Sequence, residues 1–168
     1  MNQNRNTAMH LTYSAIIAAM YVVLTLPFAS FAFGPIQFRI AESLCILPFF
    51  TPAAIPGLAI GCLFANFMGG AVIWDVIFGT LATLIGAVIS YKLRSNKWLV
   101  CIPPILANAI IIPFVLKYAY GVDELVPYMM LTVGIGEVLS VGILGNLLLN
   151  ALVPFRSRLF PATANEAA

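Results

Sequence analysis

The chain has 168 residues, of which 62% are hydrophobic and only 8% charged, with a formal net charge of +2 and a mean hydropathy of +1.02. Soluble domains carry about 25% charged residues, so this composition excludes a water-soluble domain and points to an integral membrane protein. Each crossing needs about 20 apolar residues, so the length holds roughly five or six helices and leaves no room for a nucleotide-binding domain.

The pattern predicts an all-α bundle of six transmembrane helices forming a single domain over residues 1–168, with helices at about 8–27, 40–50, 54–68, 75–91, 99–116 and 128–153. An apolar run preceded by Arg5 and followed by small residues resembles a signal peptide. Residues 11–26 are long for such a segment, so a retained first helix is expected. Ser14, Ala15, Ala18 and Ala19 give it two small-residue pairs on adjacent stripes of one face, and small residues let another helix approach closely in lipid. Residues 28–39 form a loop, and the short second helix stops near Pro48 and Pro52.

The third helix places Gly57, Gly61, Ala65 and Gly69 at every fourth position, a smooth seam for a neighbour. After Gly69 and Gly70, Trp74 and Asp75 open the fourth helix, whose own smooth stripe is Gly79, Thr83 and Ala87. The connection 91–98 is the most basic internal stretch. The fifth helix carries Asn108, with Pro103, Pro104 and Pro113 available to bend it. Glu137 lies well inside the sixth helix, and the tail from Phe155 onward is expected to fray.

Orientation follows from charge. With both termini cytoplasmic, Arg5, Lys92, Arg94, Lys97, Arg156 and Arg158 fall inside and Arg39 and Lys117 outside, which agrees with the positive-inside rule. Arg39 and Glu42 then lie at the outer end of the second helix, Asn66 near the outer end of the third, and Trp74 and Asp75 at the outer start of the fourth. At 1.5 Å per residue Glu137 sits roughly 14 Å below the outer end of the sixth, with Asn108 near mid-depth of the fifth.

Acids and amides thus gather in the outer half, and a deep carboxyl such as Glu137 must be protonated, paired or facing a wet cavity. Asn66 and Asn108 also fit plain interhelical hydrogen bonding, and Asp75 fits a helix cap. Outer acids (Glu42, Asp75, Asp123, Glu124, Glu137) outnumber the outer bases Arg39 and Lys117, which favours a cationic or donor-rich ligand. Glu137 is suited to accept two N–H bonds from an aminopyrimidinone edge while Trp74 or a loop phenylalanine stacks on the ring. The run Gly134-Ile135-Gly136-Glu137 is neither a dinucleotide fingerprint, since residue 139 is Leu and no strand precedes it, nor the GxGD of intramembrane aspartyl proteases. Cys45, Cys62 and Cys101 lack metal-ligand spacing and read as reduced packing residues. His10 reads as an interfacial residue.

From Phe33 to Gly70, FGPIQFRIAESLCILPFFTPAAIPGLAIGCLFANFMGG, the chain resembles the QueT family of queuosine-precursor transporters. The likeness continues through Asp75 and IFGTLATL, the KW-x-x-x-x-PP-x-x-x-NA pattern of Lys97 to Ala109, and VGIGE at Val133 to Glu137. The resemblance implies the substrate-binding (S) component of an energy-coupling-factor (ECF) importer, without catalysis or a cofactor of its own. Its partners would be a transmembrane coupling protein and two ATPase subunits, and no nucleic acid. Ala15 and Ala19, with Ser14 and Ala18 beside them, match the family's docking motif for the coupling protein. Residues 28–39 would lid the pocket, and the ligand would be a 7-deazaguanine such as preQ1 or queuine. The ligand contacts are assigned from depth and chemistry to Glu137, Asn108, Asp75, Trp74, Glu42, Arg39, Asn66 and Gln37. The alternatives are an S component for another vitamin-like ligand and a stand-alone, proton-coupled secondary transporter, against which stands the lack of an internal repeat.

Overall fold

A computed structural model describes residues 2–28 and 38–160, with side chains from residue 6 onward. Every regular element among these is helical. The order is α1 (Asn2–Thr25), a 3₁₀ turn Leu26–Phe28, the 3₁₀ helix α2 (Ile40–Phe49), α3 (Ala54–Met68), α4 (Ile73–Lys92), a 3₁₀ turn Leu99–Cys101, α5 (Ile102–Tyr118) and α6 (Val126–Glu137). The last span continues as a π-helix (Val138–Gly145), α7 (Asn146–Leu152), a turn Val153–Phe155 and α8 (Arg156–Leu159). Four stretches are long and apolar enough to cross a membrane: Asn6–Phe28, Ile73–Lys92, Leu99–Tyr118 and Val126–Leu159. The apolar helices α2 and α3 are shorter.

α2 is the axis of the bundle. Ala41 to Pro48 are all buried, and α1, α3, α4, the π-helical segment and α7 pack around it. A helix apolar on every side belongs in an interior. Pro48 lies inside this helix and cannot donate an intrahelical hydrogen bond. The 10 residues of α2 rise about 20 Å at 3₁₀ spacing, less than a bilayer core of about 30 Å.

The small-residue seams work by backbone approach. A Cβ on Gly61 would lie 2.7 Å from Tyr21 Cβ and 3.0 Å from Ala18 Cα, and one on Gly57 2.9 Å from the Ser14 carbonyl oxygen, so α1 and α3 touch along their backbones. α4 and α5 meet similarly, with a Gly86 Cβ falling 2.7 Å from Pro104 Cα. Gly145 brings the last span onto α2, where its Cβ would sit 3.0 Å from Ile46 Cγ2.

Three expectations need correction. The sixth span is not one regular α-helix, because residues 138–145 adopt the wider π winding; two of the eight, Gly142 and Gly145, are glycines, which ease unusual backbone packing. The first helix starts at Asn2 rather than near residue 8. Nor is the chain frayed from Phe155: α8 turns it back so that Phe160 stacks on Phe50 at 5.2 Å and meets Tyr13 at 6.0 Å. That aromatic contact places Phe160 in the core.

Candidate functional site

α2 begins at a pair of opposite charges, Arg39 and Glu42. Arg39 precedes it in an extended conformation and Glu42 lies in its first turn. Both are buried, Arg39 at 5% exposure and Glu42 at 1%, and buried charges persist only when paired. Glu42 Oε1 accepts a very short hydrogen bond from the Tyr21 hydroxyl of α1. Its Oε2 accepts from Cys45 Sγ, one turn further along α2, at 3.0 Å. Arg39 Nη1 donates to Asn66 Oδ1 of α3 at 3.3 Å, and Nη2 lies 3.8 Å from Asp75 Oδ2 of α4.

Asp75 sits in the first turn of α4, where the helix dipole favours a carboxylate. It is not the cap: Val72 holds that position without a side-chain bond. Asp75 Oδ2 instead accepts the Tyr120 hydroxyl at 2.9 Å, and that same hydroxyl accepts the Val72 N–H at 3.3 Å. Tyr120 lies in the connection between α5 and α6. Its partial burial, with Asp75 beside it, pushes its phenol up to about 12.

Deeper in the bundle, Asn108 of α5 donates from Nδ2 to Glu137 Oε1 at 3.0 Å. Glu137, 4% exposed, ends α6, and its Oε2 has no partner among the described residues. The π-helical segment that Glu137 opens packs on α2, which bears Glu42, so the two groups of polar side chains lie in one region of the bundle. Asn66 ties α3 to α4 through the Asp75 carbonyl at 3.4 Å. Thr83 donates to the Gly79 carbonyl at 3.0 Å and approaches Cys62 Sγ at 3.3 Å.

Of the residues selected from sequence, Arg39, Glu42, Asn66, Asp75, Asn108 and Glu137 meet in this cluster. Asn66 and Asn108 do bond between elements, as the plainer reading has it, and in each case one partner is an ionisable side chain. Trp74 does not join them. It is 55% exposed, stacks on Phe78, and lines an apolar groove of about 550 Å³ between α4 and α5 with Leu81, Ile110, Phe114 and Tyr118. A groove of that composition lacks the charged groups that would orient a polar heterocycle, so the buried cluster is the stronger candidate. Gln37 and most of the 28–39 connection lie outside the described residues.

On α1 the two stripes separate. Ser14 faces inward and bonds the Ala53 carbonyl at 2.9 Å, and Ala18 lies against Gly61, whereas Ala15 and Ala19 are exposed. Sequence reasoning missed Tyr21, Cys45, Tyr120 and Ser140. Ser14, Tyr21 and Thr25 recur at helical spacing on the buried face, a polar stripe inside an apolar helix that marks Tyr21. Cys45 follows Glu42 by three residues, hence on the same side. Nothing local singles out Tyr120, which reaches Asp75 only through the fold.

The sequence profile of the QueT transporter family matches residues 11–154. Among curated proteins, the queuosine precursor transporter QueT of Lactococcus lactis subsp. cremoris (strain MG1363) is 42% identical over 73 residues. That alignment spans 42% of this chain and 43% of the relative, less than half of either. No solved structure matches. The profile runs from within α1 through every later span to the turn after α7, and this multi-pass membrane protein therefore belongs to the QueT transporter family.

Proposed function

We propose that the chain is the substrate-binding component of an ECF-type, ATP-driven importer and that it captures a 7-deazaguanine queuosine precursor, preferentially an amine-bearing one such as preQ1 or queuine. The observation that carries this reading is the convergence of three carboxyl groups (Glu42, Asp75, Glu137), one guanidinium (Arg39) and two carboxamides (Asn66, Asn108) from five helices, all nearly shielded from solvent. Polar groups in a membrane interior are costly, and they collect where a polar ligand or ion is handled. Carboxyls outnumber the guanidinium, which suits a ligand rich in N–H donors or carrying an ammonium group.

Six membrane-embedded helices with both termini cytoplasmic fit the distribution of Lys and Arg and put the cluster in the outer half. The exposed Ala15 and Ala19 offer a smooth face for the coupling protein, and the two ATPase subunits act through that partner. Native mass spectrometry of the purified protein should reveal a co-purified deazaguanine, and calorimetry should show saturable binding of preQ1 or queuine. If preQ1, queuine and the nitrile-bearing preQ0 all fail to bind, the ligand assignment is wrong. If ligand binds but the protein, reconstituted with a coupling protein and ATPases, shows no ATP-dependent uptake, the importer role is wrong.

A further inference from the structure

Hydroxyl groups inside these helices usually donate to a backbone carbonyl, as Ser90 does to Val100 and Thr132 to Met129. Thr12, Ser14, Thr25, Thr80 and Thr83 each donate to the carbonyl four residues earlier, at 2.6–3.0 Å. This is the usual refuge for Ser and Thr in an apolar helix. Ser140, fully buried, makes no hydrogen bond to any described residue. It lies in the π-helical segment Val138–Gly145, where the wider winding moves the i−4 carbonyl away from the position it holds in an α-helix.

One turn earlier stands Glu137, whose Oε2 is also without a partner. Glu137 opens the π-helical segment, three residues before Ser140. The segment that carries Ser140 packs on α2, which bears Glu42, and on α5, which bears Asn108. By contrast, both oxygens of Glu42 are already occupied by Tyr21 and Cys45. Leaving a buried hydroxyl and a buried carboxyl oxygen without partners is costly, and two such groups three residues apart on one span are explained if a ligand supplies the missing bonds.

We propose that Ser140 and Glu137 form a donor–acceptor pair that reads a lactam edge: Ser140 Oγ–H donates to the ring carbonyl, and Glu137 Oε2 accepts the adjacent ring N–H. This rests on the polar cluster being the ligand site, and it assigns to Ser140 a role in specificity. A planar ring with C=O beside N–H satisfies both groups, whereas one with an exocyclic amine in place of the carbonyl has a bare ring nitrogen that turns an acceptor toward Glu137 Oε2.

The test uses the full-length protein, 7-aminomethyl-7-deazaguanine, and its 6-thioxo analogue, which keeps the ring N–H but replaces the carbonyl oxygen by a weakly accepting sulfur. Ser140→Ala should weaken the oxo ligand about 2- to 12-fold, the worth of one hydrogen bond to a neutral group. The wild type should bind the thioxo analogue several-fold more weakly than the oxo ligand, a comparison that needs no variant to fold. The alanine variant should lose most of that discrimination, closing the cycle. Ligand-free Ser140→Ala should melt at or above the wild-type temperature, because it removes an unpartnered buried hydroxyl. Equal oxo-ligand affinity in variant and wild type, or a lower melting temperature for the ligand-free variant, overturns the assignment. Absence of wild-type binding to the oxo ligand instead sinks the proposed ligand class itself.

Discussion

Replacing Glu137 by Gln probes the cluster with the least change of shape. The side-chain oxygen that accepts from Asn108 Nδ2 at 3.0 Å survives in the amide, so the α5–α6 bridge persists. What changes is the second position: Oε2, without a partner in the fold, becomes an NH₂ that can only donate. A ligand N–H that met a carboxylate oxygen now meets a donor. Hydrogen bonds to charged groups contribute about 1.5–3 kcal/mol, so affinity should fall by roughly 10- to 150-fold. Calorimetry on detergent-purified Glu137→Gln with preQ1 measures this, and thermal unfolding monitors the fold. The melting temperature should stay within a few degrees of wild type. Unchanged affinity in a folded variant would remove Glu137 from the site, and a collapsed melting temperature would make it a structural group.

Other consequences are equally direct. Gly61→Ala drives a methyl to 2.7 Å from Tyr21 Cβ and should cost about 1–3 kcal/mol. Gly134→Ala, whose Cβ meets only Ala109 at 3.8 Å, should leave thermal stability unchanged or slightly raised. Because the Tyr120 phenol is raised from 10.0 to about 12 in the fold, its contribution to stability is fully present below pH 10 and is lost as pH climbs through about 12. The melting temperature should therefore fall more steeply over that window in the wild type than in Tyr120→Phe, and identical slopes would contradict the latch on Asp75. Ala15→Trp and Ala19→Trp should abolish uptake by the assembled importer while leaving ligand affinity of the isolated subunit normal; persistent uptake in both would remove this face from the coupling interface.

What the sequence made legible follows the physics of each feature. The apolar helices announce themselves because each is a run that only a bilayer or a bundle interior accommodates. Arg39, Glu42, Asp75, Asn108 and Glu137 stand out because ionisable and amide groups are rare in such runs. Such groups seek one another in an apolar surrounding, which is why they were expected together. The π winding after Glu137 was not legible, since glycines in VLSVGILG fit an ordinary tight seam equally well. Trp74 misled for a related reason: position along α4 puts it beside Asp75, but consecutive helical residues point in different directions, so one faces the cluster and the other the apolar groove. Tyr120 and Phe160 reach their partners across 45 and 110 positions, separations that no local pattern encodes.

The two adjacent stripes of α1 illustrate how a single motif divides its work. Ser14 and Ala18 lie on the side that α3 covers, and on the same buried face Tyr21 donates to Glu42. Ala15 and Ala19, one position on, are rotated by about 100° and face outward beside Leu11, Ile16 and Met20, which are themselves exposed. Bulk added at Ala18 would therefore strike Gly61 and damage the fold, whereas bulk at Ala19 meets only what lies outside the bundle. One helix thus carries an internal bond to the polar cluster and an external face, and the backbone contact with α3 holds the two in fixed register. Any tilt of α1 that keeps the Gly61 seam intact must carry α3 along with it, and through Arg39–Asn66 the polar cluster as well.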